Sequence, residues 1–198
     1  SRKFDHQISL ADPTLDLGGG TQIGWYSGGE SAPIQKEVPK FIKYFAGKIG
    51  AKRRVYVGGS AGGYAALLSA WHDPGSVCVV YNPQVNLMKY NKFSLHKFMD
   101  IAWPGVTQIE DLRKNIITNV AKLYLRRFNS TVIYIQNNSD NLHVKNHLSE
   151  FARVGFANNS KFILDCSYWG VPGHSGSVPK KVHENWVSAA LSSKRFDR

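Results

Sequence analysis

The stretch that decides the fold is Arg54–Gly63, which reads RVYVGGSAGG. A short run with β-branched residues is followed by glycines around Ser60 and then by the small-residue segment Gly62–Trp71. The pattern G-x-S-x-G in this setting predicts a strand, a sharp turn that carries Ser60, and a helix. The helix N-terminus then lies beside the serine, where the N–H of Ala61 is placed to donate to an oxyanion. The alternative is a glycine-rich turn that binds phosphate, although it lacks the Lys-Ser/Thr ending of a Walker motif.

Three further apolar runs of strand length follow, and helical patterns separate them. Strands that alternate with helices are typical of an α/β fold with a mostly parallel sheet and helices on both faces. In the segment Pro33–Ile49, apolar residues recur at helical spacing but Pro39 interrupts them, so we expect a kink or a restart there. The predicted strands are Arg54–Gly58, Val77–Tyr81, Thr131–Gln136 and Lys161–Cys166, and the predicted helices after them are Gly62–Trp71, Leu142–Val154 and Pro179–Leu191.

The segment before the serine turn is too short to hold many strands. It contains at most two strand-like runs, around residues 6–10 and at Ile23–Tyr26, so we expect a sheet that is short on one side. A serine turn of this kind has a second oxyanion donor on a preceding loop. The glycine-rich turns at 17–20 and 27–29 are the candidates, and we assign Gly28. We also expect that an N-terminal segment with a strand and a donor loop is missing from this chain, because the first strand would otherwise be an exposed edge.

Residues 86–128 interrupt the alternation of strands and helices. The segment is long and rich in aromatic residues, and we expect helix especially between Ile109 and Phe128. Because no Gly/Ser/Pro-rich linker marks a second domain, we interpret residues 1–198 as one domain with an insertion at 86–128. The insertion is either a lid over one end of the sheet or an ordinary packing subdomain, and the sequence leaves both open.

A nucleophilic serine needs a base and an acid that orients the base. In this architecture they follow in the order Ser, Asp or Glu, His, each on a loop after a later strand. Asp140 is the only carboxylate in the loop after Thr131–Gln136, and His174 lies in the turn-rich loop after Lys161–Cys166. We therefore predict that Ser60, Asp140 and His174 are the catalytic residues.

Other residues compete for these roles. Asp165 lies inside an apolar run and is the alternative acid. His143 and His147 are spaced to share a helix face, and we expect them to be surface groups or groups that support the site. No third ligand accompanies them, so we expect no metal site.

Substrate contacts are expected just past the strand ends, because sheets of this class bind ligands at that edge. Asn82 and Gln84 follow the strand Val77–Tyr81, and Tyr26 ends the run Ile23–Tyr26. All three are candidate substrate-binding residues. For Asn82 and Gln84 the alternative is a set of hydrogen bonds that anchors the crossing loop.

Charge and composition narrow the classes further. The formal net charge is +11, but the Lys and Arg residues are scattered and no nucleic-acid-binding motif accompanies them, so we expect no nucleic-acid partner and find an anionic substrate easier to reconcile. No apolar run approaches the roughly 18 residues of a membrane span and no signal peptide is recognisable, so we expect a cytoplasmic protein. Cys78 and Cys166 are expected to be buried free thiols on strands that a third strand separates, too far apart for a disulfide.

Four sequence blocks carry a family resemblance. They are VGGSAGGYAALLSAWHDPGS (57–76), YNPQ (81–84), NNSDNLH (137–143) and PGH (172–174). With these blocks the chain resembles the serine hydrolases of the α/β-hydrolase superfamily over most of its length. More narrowly, it is similar to bacterial hydrolases found with polysaccharide biosynthesis and to the hydrolase-like proteins of accessory Sec systems, which act on glycosylated adhesins.

The resemblance implies a function as well as a fold. It implies a three-layer α/β-hydrolase fold, Ser60 as nucleophile, Asp140 as acid, His174 as base, and no cofactor. The implied reaction is hydrolysis of an ester through an acyl-enzyme, on an acylated carbohydrate or a related small molecule. Two alternatives stay open: an acyltransferase, and a hydrolase-like binding or scaffold protein in glycan or glycoprotein export.

Overall fold

The computed structural model describes residues 6–126, 128–157, 161–174, 177–193 and 196. In this part of the chain, four parallel strands form the main sheet in chain order, and two very short strands pair antiparallel before it. The sequence predicted the four long strands to within one residue at each end. The strands are β1 (Gly28–Gly29), β2 (Ala32–Pro33), β3 (Val55–Gly59), β4 (Val77–Tyr81), β5 (Thr131–Asn137) and β6 (Phe162–Ser167).

Helices cover both faces of the sheet, as the alternating pattern predicted. On β4, Cys78 and Val80 point into a core shared with the helix after β3, whereas Val77 and Val79 pack against the C-terminal helix. Side chains of a strand alternate between its faces, so one strand serves both layers. The helices are α1 (Glu37–Lys48), α2 (Ser60–Trp71), α3 (Lys92–Ala102), α4 (Asn141–His143), α5 (Ser149–Ala157) and α6 (Lys180–Ser192).

The N-terminal part differs from the prediction. Ile23–Tyr26 is not a strand, because Trp25 and Tyr26 take left-handed backbone conformations with φ of 52° and 54°. This turn buries the Trp25 indole against Phe98, with ring centroids 5.0 Å apart. Residues 6–10 have no regular structure. The helix α1 begins only at Glu37, so Pro39 falls in its first turn, where a missing N–H is tolerated and no kink is required.

The predicted helix Leu142–Val154 is interrupted. A π-helical turn at Val144–Leu148 separates α4 from α5. Such wide turns occur mostly as single insertions in α-helices, often at functional sites. The turn leaves His143 and His147 adjacent, with ring centroids 4.9 Å apart.

The insertion at 86–128 contributes to the main core. Its regular helix is α3, and the region expected to be helical after Ile109 holds only two 3-10 segments, Ile109–Lys114 and Val120–Leu125. Leu95, Phe98 and Tyr124 from this segment are at most 1% exposed and belong to the same cluster as α2 and β4. This burial favours the packing alternative over a mobile lid.

Two arginines of the basic cluster at 52–54 have structural partners. Arg54 forms a salt bridge with the buried Asp73, which also accepts a hydrogen bond from Tyr56. Arg53 donates to the carbonyl oxygens of Ala190 and Ser193 at the end of α6, where a cation also opposes the negative end of the helix dipole. Among the described residues, no helix is both long and apolar enough to cross a membrane.

The two cysteines lie on β4 and β6, and β5 separates them as predicted. Both are free thiols. Cys78 is buried as expected, but the expectation of burial is wrong for Cys166, which is exposed on the edge strand β6.

We expect one thiol of the native protein to react with Ellman's reagent and a second to react only after unfolding. Burial raises the pKa of the Cys78 thiol strongly and shields it, and the thiolate is the reactive form. A Cys166→Ser variant should show no reactive thiol while folded. Intact-mass analysis showing the loss of two hydrogens within the monomer would contradict the strand order.

Candidate active site

Ser60 occupies a strained turn between β3 and α2. Its φ is 50°, in the left-handed region that costs a non-glycine residue about 1–3 kcal/mol. A Cβ on Gly58 would lie 2.3 Å from the carbonyl oxygen of Gly62, so the turn requires glycine at position 58. At position 62 a Cβ would meet no atom outside its own helix within 4 Å, and the pattern's second glycine is therefore not needed for close approach here.

The side chains of Ser60, Asp140 and His174 meet at the carboxyl ends of the strands. His174 Nε2 is 3.1 Å from Ser60 Oγ, and His174 Nδ1 is 2.7 Å from Asp140 Oδ2. The Asp140 side chain is 3% exposed and that of His174 is 40% exposed. Because a carboxylate only accepts, the His174 proton lies on Nδ1, and Nε2 is left to accept the hydroxyl hydrogen of Ser60.

Two polar residues tie the loop of Asp140 to the loop of His174. Asn137 Nδ2 donates to the carbonyl oxygens of Val171 and Gly173, at 2.9 and 3.1 Å. Ser139 Oγ accepts from the N–H of Gly173 at 3.2 Å and donates to Asn137 Oδ1. The acid and the base therefore sit on one cross-linked unit. Sequence analysis did not identify these two roles, although the polar run after β5 was the available signal.

The Asp140 carboxylate accepts from two histidines. Besides His174, both the backbone N–H of His143 and its Nδ1 lie within hydrogen-bond distance of Oδ1, at 3.2 and 3.1 Å. Burial alone would raise the pKa of Asp140, but the hydrogen bond from His174 and the interactions with His143 outweigh it and hold that pKa below its ordinary value. Asp140 is therefore ionised at neutral pH.

His143 and His147 are buried, so the surface alternative is wrong for both. The His143 ring stacks on the His174 ring, with centroids 4.0 Å apart and planes 3° apart. Burial lowers the pKa of His143 to about 4 and that of His147 to about 3. Both imidazoles are consequently neutral at pH 7.

Asp140, His143 and His174 also form the one set of described residues whose ligand atoms are close enough to suggest a metal, all within 4.8 Å. The stacked rings argue against chelation, since parallel imidazoles direct their lone pairs side by side rather than toward one ion. His147 Nδ1 accepts from the N–H of Val85. We interpret the group as a hydrogen-bond network, and the expectation of no metal stays a prediction.

Gln84 is fully buried and contacts the nucleophile. Its Nε2 donates to Ser60 Oγ at 3.0 Å, and its backbone N–H donates to the Ser60 carbonyl oxygen at 3.1 Å. The indole N–H of Trp25 donates to Gln84 Oε1. Because an indole is only a donor, the amide oxygen must face Trp25 and the amide nitrogen must face Ser60. Trp25 is a site residue that sequence analysis missed.

Asn82 anchors the crossing loop. It is 3% exposed, and its Oδ1 accepts from Gln136 Nε2 and from the N–H of Asn137, both at 2.8 Å. Its φ of 40° is left-handed, which asparagine tolerates better than most residues. These contacts favour the anchoring alternative over substrate binding for Asn82.

Tyr26 and Gly28 are held by the N-terminal segment. The N–H of Tyr26 donates to Asp12 and its hydroxyl to the carbonyl oxygen of Leu10, at 3.0 and 2.9 Å. The N–H of Gly28 donates to Thr14 Oγ1 at 2.9 Å. The assignment of Gly28 as oxyanion donor is therefore wrong in this geometry, because its N–H already has an internal acceptor. No described contact joins Tyr26 to Ser60, and a substrate-binding role for Tyr26 stays a prediction.

The remaining predicted residues are Ala61 and the alternative acid. Ala61 is the second residue of α2, so its N–H has no acceptor within the helix and lies next to Ser60. Asp165 Oδ2 accepts from Trp186 Nε1 at 2.6 Å. Asp165 thus supports the packing of α6, and Asp140 is the carboxylate that contacts His174.

Two solved structures are similar to this chain. One is the capsule O-acetyltransferase of Neisseria meningitidis serogroup A, with 14% identity, a TM-score of 0.56, and coverage of 78% of this chain and 63% of that chain. The other is a puromycin hydrolase, with 18% identity, a TM-score of 0.55, and coverage of 87% of this chain and 26% of that chain. The fold is α/β-hydrolase-like.

Both neighbours are enzymes, and the chain spans less than two thirds of either one. At these identities the likeness establishes the fold alone. No protein-family profile matches the sequence, and no curated protein sequence matches it.

The neutral buried histidines predict a pH-dependent stability. As pH falls below about 6.5, the unfolded chain takes up protons that the folded His143 and His147 refuse until about pH 4 and 3, so stability is full above 6.5 and is lost as pH falls through this window. A pKa shift of this size corresponds to about 3 kcal/mol per histidine. Urea unfolding at stepped pH measures the slope.

The matched variants for this test are His147→Gln and His96→Gln. His147→Gln should make the slope between pH 6.5 and 4 shallower. His96 is exposed in the folded chain, and its replacement should leave the slope as in the wild type. A wild-type free energy of unfolding that stays constant over this range would contradict the buried, neutral state of the pair.

Proposed function

We propose that this protein is a serine hydrolase that cleaves a carboxylic ester through an acyl-enzyme on Ser60. The observation that carries the proposal is the continuous contact from Ser60 Oγ to His174 and from His174 to Asp140, at 3.1 and 2.7 Å. An acid, a base and a nucleophile in this order are what acyl transfer requires.

In the first half of the reaction, His174 Nε2 takes the Ser60 hydroxyl proton while Oγ bonds to the ester carbonyl carbon. Asp140 stabilises the resulting imidazolium through Nδ1. The tetrahedral intermediate then breaks its bond to the leaving alcohol, which takes the proton from Nε2. In the second half, a water or another hydroxyl gives its proton to His174, attacks the acyl carbon and releases Ser60 with its hydrogen restored.

Two donors are available for the oxyanion. The N–H of Ala61 is next to the nucleophile and stands at the positive end of α2. The second donor that we propose is Gln84 Nε2, which lies 3.0 Å from Oγ and which the Trp25 indole keeps turned toward the site. Side-chain amides serve this purpose in other acyl-transfer sites, where losing one donor costs about 10²–10³ in rate.

The substrate that we propose is an acylated carbohydrate or a related ester. The partly exposed His174 leaves the acyl-enzyme accessible to water and to larger hydroxyl compounds. Acyl transfer to a sugar hydroxyl is the second candidate, and the similarity to a capsule O-acetyltransferase favours it over transfer to other acceptors. A purely binding or scaffold role has no need for the strained φ of Ser60 or for a base in contact with it.

A fluorophosphonate probe should label Ser60 and no other serine of the folded protein. Ser60→Ala should abolish labelling and lower ester hydrolysis by several orders of magnitude, because triad members act as a unit. The control is Ser192→Ala, at an exposed position on α6, which should retain both. Absence of labelling in folded wild-type protein would support the scaffold role instead.

Replacing the acid distinguishes the two candidate carboxylates. Asp140→Asn should keep the loop shape but lose the charge that stabilises the His174 imidazolium, lowering kcat by about 10³-fold or more. Asp165→Asn loses only a contact with Trp186 and should retain most of the turnover, as measured on p-nitrophenyl acetate. A larger loss of kcat in folded Asp165→Asn would overturn the assignment of Asp140.

A further inference from the structure

Asp140 holds two histidines, and the proposed reaction uses only one of them. The second, His143, directs its Nδ1 at Asp140 Oδ1 from 3.1 Å and adds a backbone N–H at 3.2 Å. The residue is 2% exposed. A buried imidazole in contact with the acid and stacked on the base is a costly arrangement unless it contributes to the site.

The tautomer of His143 follows from its partner. A carboxylate only accepts, so the single hydrogen of the neutral imidazole lies on Nδ1 and points at Asp140. The other nitrogen, Nε2, is buried and has no hydrogen-bond partner among the described residues. The only hydrogen bond of the His143 side chain is therefore the one to the catalytic acid.

The stacking acts on the base. His174 stands on a loop and is 40% exposed on its open side, whereas the parallel ring of His143, 4.0 Å away, covers its other face. Any rotation of the His174 ring breaks its hydrogen bonds to Ser60 and Asp140 together. The ring of His143 is the surface against which His174 keeps its orientation.

We propose that His143 is a positioning residue that orients His174 by stacking and, by donating to Asp140, limits how much of the carboxylate's charge acts on His174. The inference rests on the proposed function of Ser60, Asp140 and His174. The titratable groups packed against His143 are Asp140, His174, His147 and Tyr90, and Glu150 and Lys89 act on His147 from its far side.

Two substitutions separate the two contacts. His143→Asn keeps an N–H near the position of Nδ1 but removes the ring, and His143→Phe keeps a ring but removes the N–H. The exposed His96→Gln is the control. For each protein we would measure kcat and KM on p-nitrophenyl acetate, the pH profile of kcat/KM, and the titration midpoint of the His174 ring by NMR in a Ser60→Ala background.

His143→Asn should lower kcat about 10-fold with KM and the acid limb of the profile unchanged. His143→Phe should lower kcat about 10- to 100-fold, the effect of losing a hydrogen bond to a charged group. In His143→Phe the acid limb and the NMR midpoint of His174 should both move to higher pH, by about one unit, because the full charge of Asp140 then favours the imidazolium.

The proposal is overturned if either variant keeps the wild-type kcat, or if His143→Phe lowers kcat without moving the limb and the midpoint, which is the signature of packing alone. Circular dichroism and the melting temperature check the fold. If His143→Phe does not fold, the smaller His143→Leu, which also lacks the N–H, must show the same movement. The NMR midpoint needs no turnover, so a wild type that neither hydrolyses the ester nor labels at Ser60 marks a failure of the proposed function and not of this inference.

Discussion

The whole site depends on one backbone constraint, the left-handed conformation of Ser60 where β3 becomes α2. That conformation is unfavourable for serine and persists only because its surroundings fix it on both sides. The strand β3 packs so close to α2 that Gly58 has no room for a side chain, and Gln84 binds the serine through its backbone and its side chain. The sheet order then decides which loops reach the hydroxyl, because the carboxyl ends of β5 and β6 open at the same edge.

The acid and the base form a preassembled pair, while the nucleophile belongs to a separate element. Asn137 and Ser139 connect their loops by hydrogen bonds, and Asp140 is fixed further by the start of α4. Each of these groups is a short polar side chain with a backbone partner. Such contacts hold a geometry with little freedom, which is what a reaction sensitive to small displacements requires.

The sequence was sufficient for the sheet and for Ser60, Asp140 and His174, because strong β-branched runs and a glycine-serine turn are local signals. It failed at Trp25 and Tyr26, where the apolar run Ile23–Tyr26 resembles a strand but folds as a left-handed turn that buries the indole. It also failed at Gly28, because the acceptor of its N–H, Thr14, follows from tertiary contacts alone. The proximity of His143 to Asp140 was equally hidden, since it depends on where a helix begins relative to the end of β5.

The carboxyl edge of the sheet concentrates buried polar groups that a folding chain would otherwise keep in water. Asn82, Gln136, Asn137 and His147 are all at most 3% exposed, and they surround the catalytic groups. Dehydrating so many amides and imidazoles lowers the net stability of this end of the domain, and apolar replacements that fill the same space would raise it. The opposite, strand-starting end has no such obligation. A screen for thermostable variants should therefore find its harmless gains there, and its gains near β5 at the expense of turnover.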